Sequence, residues 1–108
     1  MITVQPIQID QFTCIAIDVS LPKTRLLSVQ THTGYIMCGA LDVHLLNTRL
    51  HERRIIAGRA IGVKTIDELL AAPLESITDE AYAIGVRVGM IVKDALCVMC
   101  EKNDNNQD

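Results

Sequence analysis

Cys38 is the residue of this 108-residue chain whose surroundings most directly suggest chemistry. It ends a short β-like run that begins at Tyr35, and beyond Gly39 a helix-like pattern opens at Asp42. A thiol close to a helix N-terminus has a lowered pKa, which favours the nucleophilic thiolate. Catalysis would also need a base close in space, but a strand and a turn would hold the candidate base His32 at the opposite end. The alternative is a small buried residue, since free cysteines are among the most buried types, and the sequence favours it.

Arg59 is the second candidate, because it interrupts an apolar strand between Gly58 and Ala60. A glycine beside it allows other backbone to approach closely. A partly buried arginine needs a carboxylate partner, or else it can bind an anionic ligand. The sequence favours a structural ion pair, for which there are three candidate partners: Asp18, Asp42 and Glu75.

Two residue pairs have the spacing of metal or redox motifs. Cys97 and Cys100 form a C-x-x-C pair, but they close a helix, where the dipole opposes a thiolate, and zinc would need two further ligands. His44 and His51 lie about 10 Å apart along a helix axis, too far to share one zinc ion. We therefore predict inert cysteines, solvated histidines, no metal and no cofactor. The chain also lacks the common phosphate-loop, nucleophile-elbow and zinc-protease motifs.

Composition limits the possible partners. Hydrophobic residues make up 49% of the chain and the mean hydropathy is +0.26. A domain this small must leave some of them exposed, which predicts self-association. The net charge of −3 and the presence of only one Phe and two Tyr argue against nucleic acid. The chain has no apolar run of about 20 residues and no signal peptide, so we expect no membrane partner and a cytoplasmic protein with reduced cysteines.

The first third of the chain has the alternating pattern of β-strands. The segment "TVQPIQI" contains Pro6, which suits an edge strand. The segment "FTCIAIDV" is apolar on both faces, which suits a central strand. Two more segments, "RLLSVQ" and "YIMC", follow after short connections. Together they predict an antiparallel meander of four strands.

The pattern changes to a helical period after Gly39. Val43, Leu46 and Leu50 recur at helical spacing behind Asp42, which is a good N-cap. A fifth apolar strand follows, "IIAGRAIGV". A helix between two strands of one sheet predicts a right-handed crossover and a parallel strand pair.

The last third is predicted to be helical. Thr65 and Glu68 form a capping box ahead of one helix, and Thr78 begins another. A final helix runs from about Met90 to Cys100 and is apolar nearly all round, so it must be covered nearly all round. We expect some of its side chains to face a second subunit, with three candidates: Met90, Cys97 and Met99. The polar residues 101–108 have nothing to bury and are predicted to be disordered.

Three segments together resemble one known family: "GYIMCGALD", "AGRAIGVKTIDELLAAPLES" and "GVRVGM". They are similar to the YunC-like family of small bacterial and archaeal domains, and the likeness extends over roughly Pro6 to Leu96. The resemblance implies a compact α/β domain but no function, because the family's function is unknown, and it carries over no site residues. It does mark the segments Tyr35 to Asp42 and Gly58 to Gly62 as shared features.

The sequence thus predicts a single α+β domain over residues 1–100. It has a mixed, mostly antiparallel sheet of about five strands, one crossover helix and C-terminal helices packed on the sheet. We expect a cytoplasmic homo-oligomer that binds a small anionic ligand or a partner protein. The ligand-binding candidates are Arg59, Gly58, Tyr35 and Asp42. The alternative is a small enzyme that uses Cys38 as a reactive thiol and Arg59 as an anion anchor.

Overall fold

Strands fill the first third of the protein, and helices cover one face of the sheet that they form. A computed structural model describes residues 1–39, 43–48 and 53–105. The strands are β1 (Ile2–Ile9), β2 (Phe12–Leu21), β3 (Thr24–Gln30), β4 (Gly34–Met37), β5 (Ile56–Arg59) and β6 (Ser76–Ile77). The helices are α1 (Val43–Thr48), α2 (Ile66–Ala71), α3 (Asp79–Ala83) and α4 (Val92–Asn105).

The six strands of the described chain form one sheet in the order of the sequence, β1 to β6. All neighbours are antiparallel except β4 and β5, which are parallel and are joined by a connection that contains α1. The predicted α+β fold, with a mostly antiparallel sheet and one crossover helix, is confirmed. The sheet has one strand more than predicted, because β6 is only two residues long and shows no period in the sequence.

Tight turns join the first strands. Asp10, between β1 and β2, and Lys23, between β2 and β3, both have left-handed backbones, with φ of 53° and 63°. Aspartate adopts this conformation more readily than most residues, and Pro22 presets the backbone just before Lys23. The turn between β3 and β4 is closed by the Thr31 hydroxyl, which accepts from the backbone N–H of Gly34 at 3.0 Å. These turns fix which residues pair between neighbouring strands of the meander. The turn between β2 and β3 also fixes the direction of the chain at Lys23.

Two apolar clusters lie on opposite faces of the sheet. On one face α2 and α4 contact each other and the strands to form the main core. On the other face Val43 and Leu46 of α1 pack against Ala57, beside β4 and β5. The main core contains these large, fully buried side chains: Ile9, Leu27, Val29, Ile36, Leu69, Leu74, Val86, Val92, Leu96 and Met99.

Helix α4 differs from its prediction in two ways. Met99 is fully buried within one copy of the chain, so the expectation that it faces a second subunit is wrong. The apolar side chains of α4 find enough cover on the sheet and on α2. The helix also continues to Asn105, whereas the disordered tail was predicted to begin at residue 101. None of the helices within the described residues is both long and apolar enough to cross a membrane.

Candidate functional site

Cys38 follows β4 directly and is only 7% exposed. Its Sγ accepts a hydrogen bond from the Leu27 N–H at 3.5 Å and lies 3.9 Å from the Arg25 carbonyl oxygen, to which it can donate. Its own N–H donates to the Leu27 carbonyl at 3.0 Å. Within the described chain no histidine nitrogen bonds to this sulfur, and His32 lies before β4, at the other end of the strand. The geometry therefore places Cys38 in the main core.

Arg59, at the end of β5, forms an ion pair with Glu75. The Arg59 Nε donates to Glu75 Oε1 at 2.9 Å, and the Ser76 hydroxyl donates to the same oxygen at 2.7 Å. These two hydrogen bonds, that of Ser76 first, hold the pKa of the Glu75 carboxyl below its usual value. Two of the three proposed partners, Asp18 and Glu75, lie within the described residues, and of these Glu75 is the one beside Arg59.

Cys38 and Arg59 do not form a common site. Met37 and Arg59 are direct partners across the parallel pair, so their side chains share a face of the sheet. Met37 packs in the cluster under α1, whereas Cys38 packs in the main core on the opposite face. The sheet therefore separates the predicted thiol from the predicted anion anchor.

The other predicted ligand-binding residues serve packing or lie outside the described chain. A Cβ on Gly58 would come within 2.9 Å of the Leu74 Cδ2, so this glycine makes room for a core leucine. Tyr35 is half-buried and packs in the cluster under α1. Asp42 lies outside the described residues, as does His51, and nothing is described of the His44 side chain. Neither Gly58 nor Tyr35 lines the pocket described below.

The C-x-x-C cysteines contact different parts of the sheet, Cys100 the strand β2 and Cys97 the turn between β1 and β2. The Cys100 Sγ lies 3.9 Å from the Cys14 Sγ in β2, and both are buried. The Cys97 thiol donates to Asp10 Oδ2 at 3.3 Å. Burial, followed by the hydrogen bond and negative charge of Asp10, raises the pKa of Cys97 to about 11, and burial also raises the pKa of Cys14. No three metal-binding side chains among the described residues are grouped to hold an ion.

We expect native Cys97 to react slowly with iodoacetamide at pH 8, with a rate that rises only as pH approaches about 11. The thiolate is the reactive form, and burial and the Asp10 carboxylate both disfavour it. Asp10→Asn keeps a residue that tolerates the left-handed turn but removes the charge, so Cys97 labelling should speed up at pH 9. Mass spectrometry of the alkylated protein against pH measures both rates, and Cys14 is the internal control. Rapid labelling of wild-type Cys97 at pH 8 would contradict this account.

A basic pocket lies where the turn between β2 and β3 meets the segment that leads from β5 into α2. Its volume is about 450 Å³. Three of its lining residues are cationic, and two carry hydroxyls: Lys23, Arg25, Lys64, Ser20 and Thr24, with Val63 completing the wall. The pocket lies beyond the carboxyl ends of the parallel strands β4 and β5, the end of a parallel sheet at which ligands commonly bind.

Arg25 joins the two halves of this pocket. Its Nη1 donates to the Lys64 carbonyl at 3.2 Å, which ties β3 to the segment before α2. Its Nε lies 3.2 Å from Asp18 Oδ1, a solvent-inaccessible oxygen that accepts no well-directed hydrogen bond. The contact is therefore mainly electrostatic, and it compensates the one buried oxygen of a carboxylate that is otherwise partly exposed.

The lysines of the pocket keep their charges unpaired. Within the described residues, neither the Lys23 nor the Lys64 ammonium has a carboxylate at ion-pair distance. The carboxylate of Glu68 is nearby, but it accepts from the Lys64 backbone N–H at 2.8 Å. Among the described residues, the carboxylates that contact the lining cations are Asp18 and Glu68, so the three cations outnumber them in a chain whose net charge is −3.

Sequence reasoning missed this pocket. Lys23 and Arg25 lie about 40 residues before Lys64, and only the pairing of β3 with β4, and of β4 with β5, brings the two segments together. No local motif marks them. The one link to the predicted site is Cys38, whose sulfur contacts the Arg25 carbonyl behind the pocket wall.

Comparison with known proteins places this architecture among proteins of unknown function. Residues 37–99 match the family model of a domain of unknown function, DUF1805. The chain is 54% identical over 99 residues to the uncharacterized protein YunC of Bacillus subtilis (strain 168), covering 92% of this chain and 98% of that protein. A crystal structure of a protein of unknown function, TA1206 from Thermoplasma acidophilum, aligns with a TM-score of 0.82 at 27% identity, over 92% of this chain and 93% of that one.

Proposed function

The chain belongs to the DUF1805 family of YunC-like domains of unknown function, and for this member we propose a cytoplasmic, homo-oligomeric domain that binds a small anionic ligand. The ligand site is the basic pocket of Lys23, Arg25 and Lys64. The observation that carries the proposal is the convergence of these three cations, from two distant segments, on one cavity of an acidic chain.

The chemistry of the lining suits a phosphate or carboxylate group. The Arg25 side chain is nearly half exposed. Its Nη1 donates a hydrogen bond and its Nε contacts Asp18, so within the described residues Nη2 is available to a ligand. The ammonium groups of Lys23 and Lys64 add donors without a fixed direction, and the hydroxyls of Ser20 and Thr24 can donate as well. A cavity of about 450 Å³ also falls within the range of small-molecule sites.

Isothermal titration calorimetry with inorganic phosphate, pyrophosphate and citrate tests the proposal. We expect at least one of these anions to bind the wild-type protein, with an affinity that falls as salt is added, because screening weakens attraction to exposed lysines. The double variant Lys23→Ala/Lys64→Ala should bind at least tenfold more weakly. The matched control is Lys93→Ala, an exposed lysine on α4 that does not line the pocket, and its affinity should equal that of wild type. Equal affinity in the double variant would overturn the assignment.

The structure supports the remaining parts of the proposal to different degrees. All four cysteines are free thiols, including the adjacent Cys14 and Cys100, which is the state that the reducing cytoplasm maintains. Met99 does not support homo-oligomerisation, but several large apolar side chains are exposed elsewhere. The alternative enzyme, with Cys38 as its thiol and Arg59 as its anion anchor, is less well supported because the sheet separates these two residues.

A further inference from the structure

The sheet face opposite the main core is apolar and uncovered over β1, β2 and β3. We call it the outer face and define it by six alternating side chains: Ile2, Val4, Ile15, Ile17, Val19 and Leu26. Ile2 and Val4 are 68% and 61% exposed, and the other four are half-buried. The described apolar side chains of α1 pack on this side beside β4 and β5, so among the described residues no helix covers the outer face.

The composition of the outer face is unusual for a solvated sheet surface. An antiparallel sheet normally alternates apolar residues toward the core with polar residues toward water. Here every outward position of the three strands is uncharged, although 21% of the chain is charged. The remaining side chains on this face of the three strands are Pro6, Gln8, Thr13, Leu21, Thr24, Ser28 and Gln30. A charged partner surface would therefore find no complementary charge on the outer face, whereas the same uncharged face of a second copy would be compatible with it.

The free edge of β1 is less suited to pairing than its face. Met1 and Ser20 exchange two backbone hydrogen bonds, so from Met1 onward every second residue of this edge bonds to β2 through its backbone. The backbone N–H and C=O groups of the residues between them point away from β2, toward the free edge of the sheet. Pro6, opposite Ile15, is one of the residues whose backbone faces this free edge. Because proline has no N–H, it interrupts any ladder that a further strand would form along this edge.

We propose that the outer face is the self-association surface, packed against the same face of a second copy of this chain. This assignment rests on the homo-oligomerisation proposed above and names its surface. A two-fold contact places the same patch on both subunits, which an uncharged apolar patch satisfies. Three strands of about eight residues span about 14 Å by 26 Å. Because protruding side chains enlarge this flat area, two such faces in contact bury about 1,000 Å² in total, the area at which specific interfaces begin.

Sedimentation equilibrium of the full chain between 1 and 100 micromolar (about the range of modest interfaces) tests the proposal. We expect wild type to sediment at twice 11.9 kDa at the upper end. Val4→Lys should raise the dimer dissociation constant at least 100-fold. The matched control is Val88→Lys, since Val88 is also 61% exposed but lies outside the sheet. Circular dichroism checks that both variants fold. If Val4→Lys does not fold, Ile2→Lys, at the first residue of β1, repeats the test.

Each outcome bears on a different part of the proposal. A wild-type mass of 11.9 kDa at every concentration would overturn both the self-association and its surface. A wild-type dimer that persists in folded Val4→Lys and Ile2→Lys would leave self-association in place but overturn the outer face. Loss of the dimer in Val88→Lys alone would do the same. None of these results depends on anion binding, which is measured separately on the pocket variants.

Discussion

Thr78→Ala should lower the free energy of unfolding by about 3 kcal/mol, since it removes a helix cap and leaves buried donors without partners. The Thr78 Oγ1 accepts from two backbone N–H groups, that of Ala81 at 3.3 Å and that of Ala57 at 3.1 Å. It thereby caps α3 and also satisfies a donor of β5. Thr78 is 2% exposed, and both alanines are fully buried, so water cannot replace either bond. Urea unfolding followed by circular dichroism measures the change.

Thr65→Ala is the matched control for this prediction. Thr65 caps α2 by the same bond, accepting from the Glu68 N–H at 3.1 Å, but this cap is exposed. Water can take over the lost bond, so we expect a cost of only about 1 kcal/mol, the usual value for a cap. If the two substitutions cost the same, the second bond of Thr78 to β5 contributes nothing and the argument from burial is wrong.

Gly34→Ala should also destabilise the protein by about 3 kcal/mol, the upper end of the usual range for overpacking. Gly34 lies opposite Ile56 in the parallel pair of β4 and β5. A Cβ at Gly34 would collide with the backbone oxygen of Ile56 and would lie 2.8 Å from its Cγ2. A backbone atom cannot rotate away as a side chain can, so the two strands would have to separate. Thermal unfolding of the variant measures the effect.

Gly39→Ala serves as the control for Gly34→Ala. Among the described residues, the nearest atom to a Cβ at Gly39 is the Ile61 Cγ2 at 3.6 Å, an ordinary van der Waals contact. We therefore expect a change within about 0.5 kcal/mol. A Gly34→Ala protein as stable as wild type would mean that β4 and β5 are not held at the described separation.

Local patterns were sufficient to predict most of the fold. Alternating apolar residues placed β1 to β4, and the hydroxyl caps at Thr65 and Thr78 placed the starts of α2 and α3. The change from strand to helix after Gly39 predicted the crossover and hence the parallel pair. These signals work because each depends on residues within a few positions of one another.

Tertiary placement was beyond the reach of those patterns. A helix that is apolar all round does not reveal which side meets its own sheet, so Met99 was one of three candidates for a contact with another subunit although it lies in the core. The apolarity of β2 on both faces correctly placed this strand inside the sheet, between β1 and β3, but it did not reveal that one of the two faces is open. The basic pocket was missed for the same reason, since Arg25 and Lys64 meet only through the order of the strands.

The most direct test of the central claim is a titration of the ¹⁵N-labelled protein with inorganic phosphate, followed by ¹H–¹⁵N correlation spectra. If the basic pocket binds anions, the largest shift changes should be those of the turn from Ser20 to Arg25 and of Val63 and Lys64, and they should saturate together. Pyrophosphate and citrate should move the same amides. Shifts centred on Arg59 and Glu75 instead, or no saturating shift in the pocket with any of the three anions, would contradict the account.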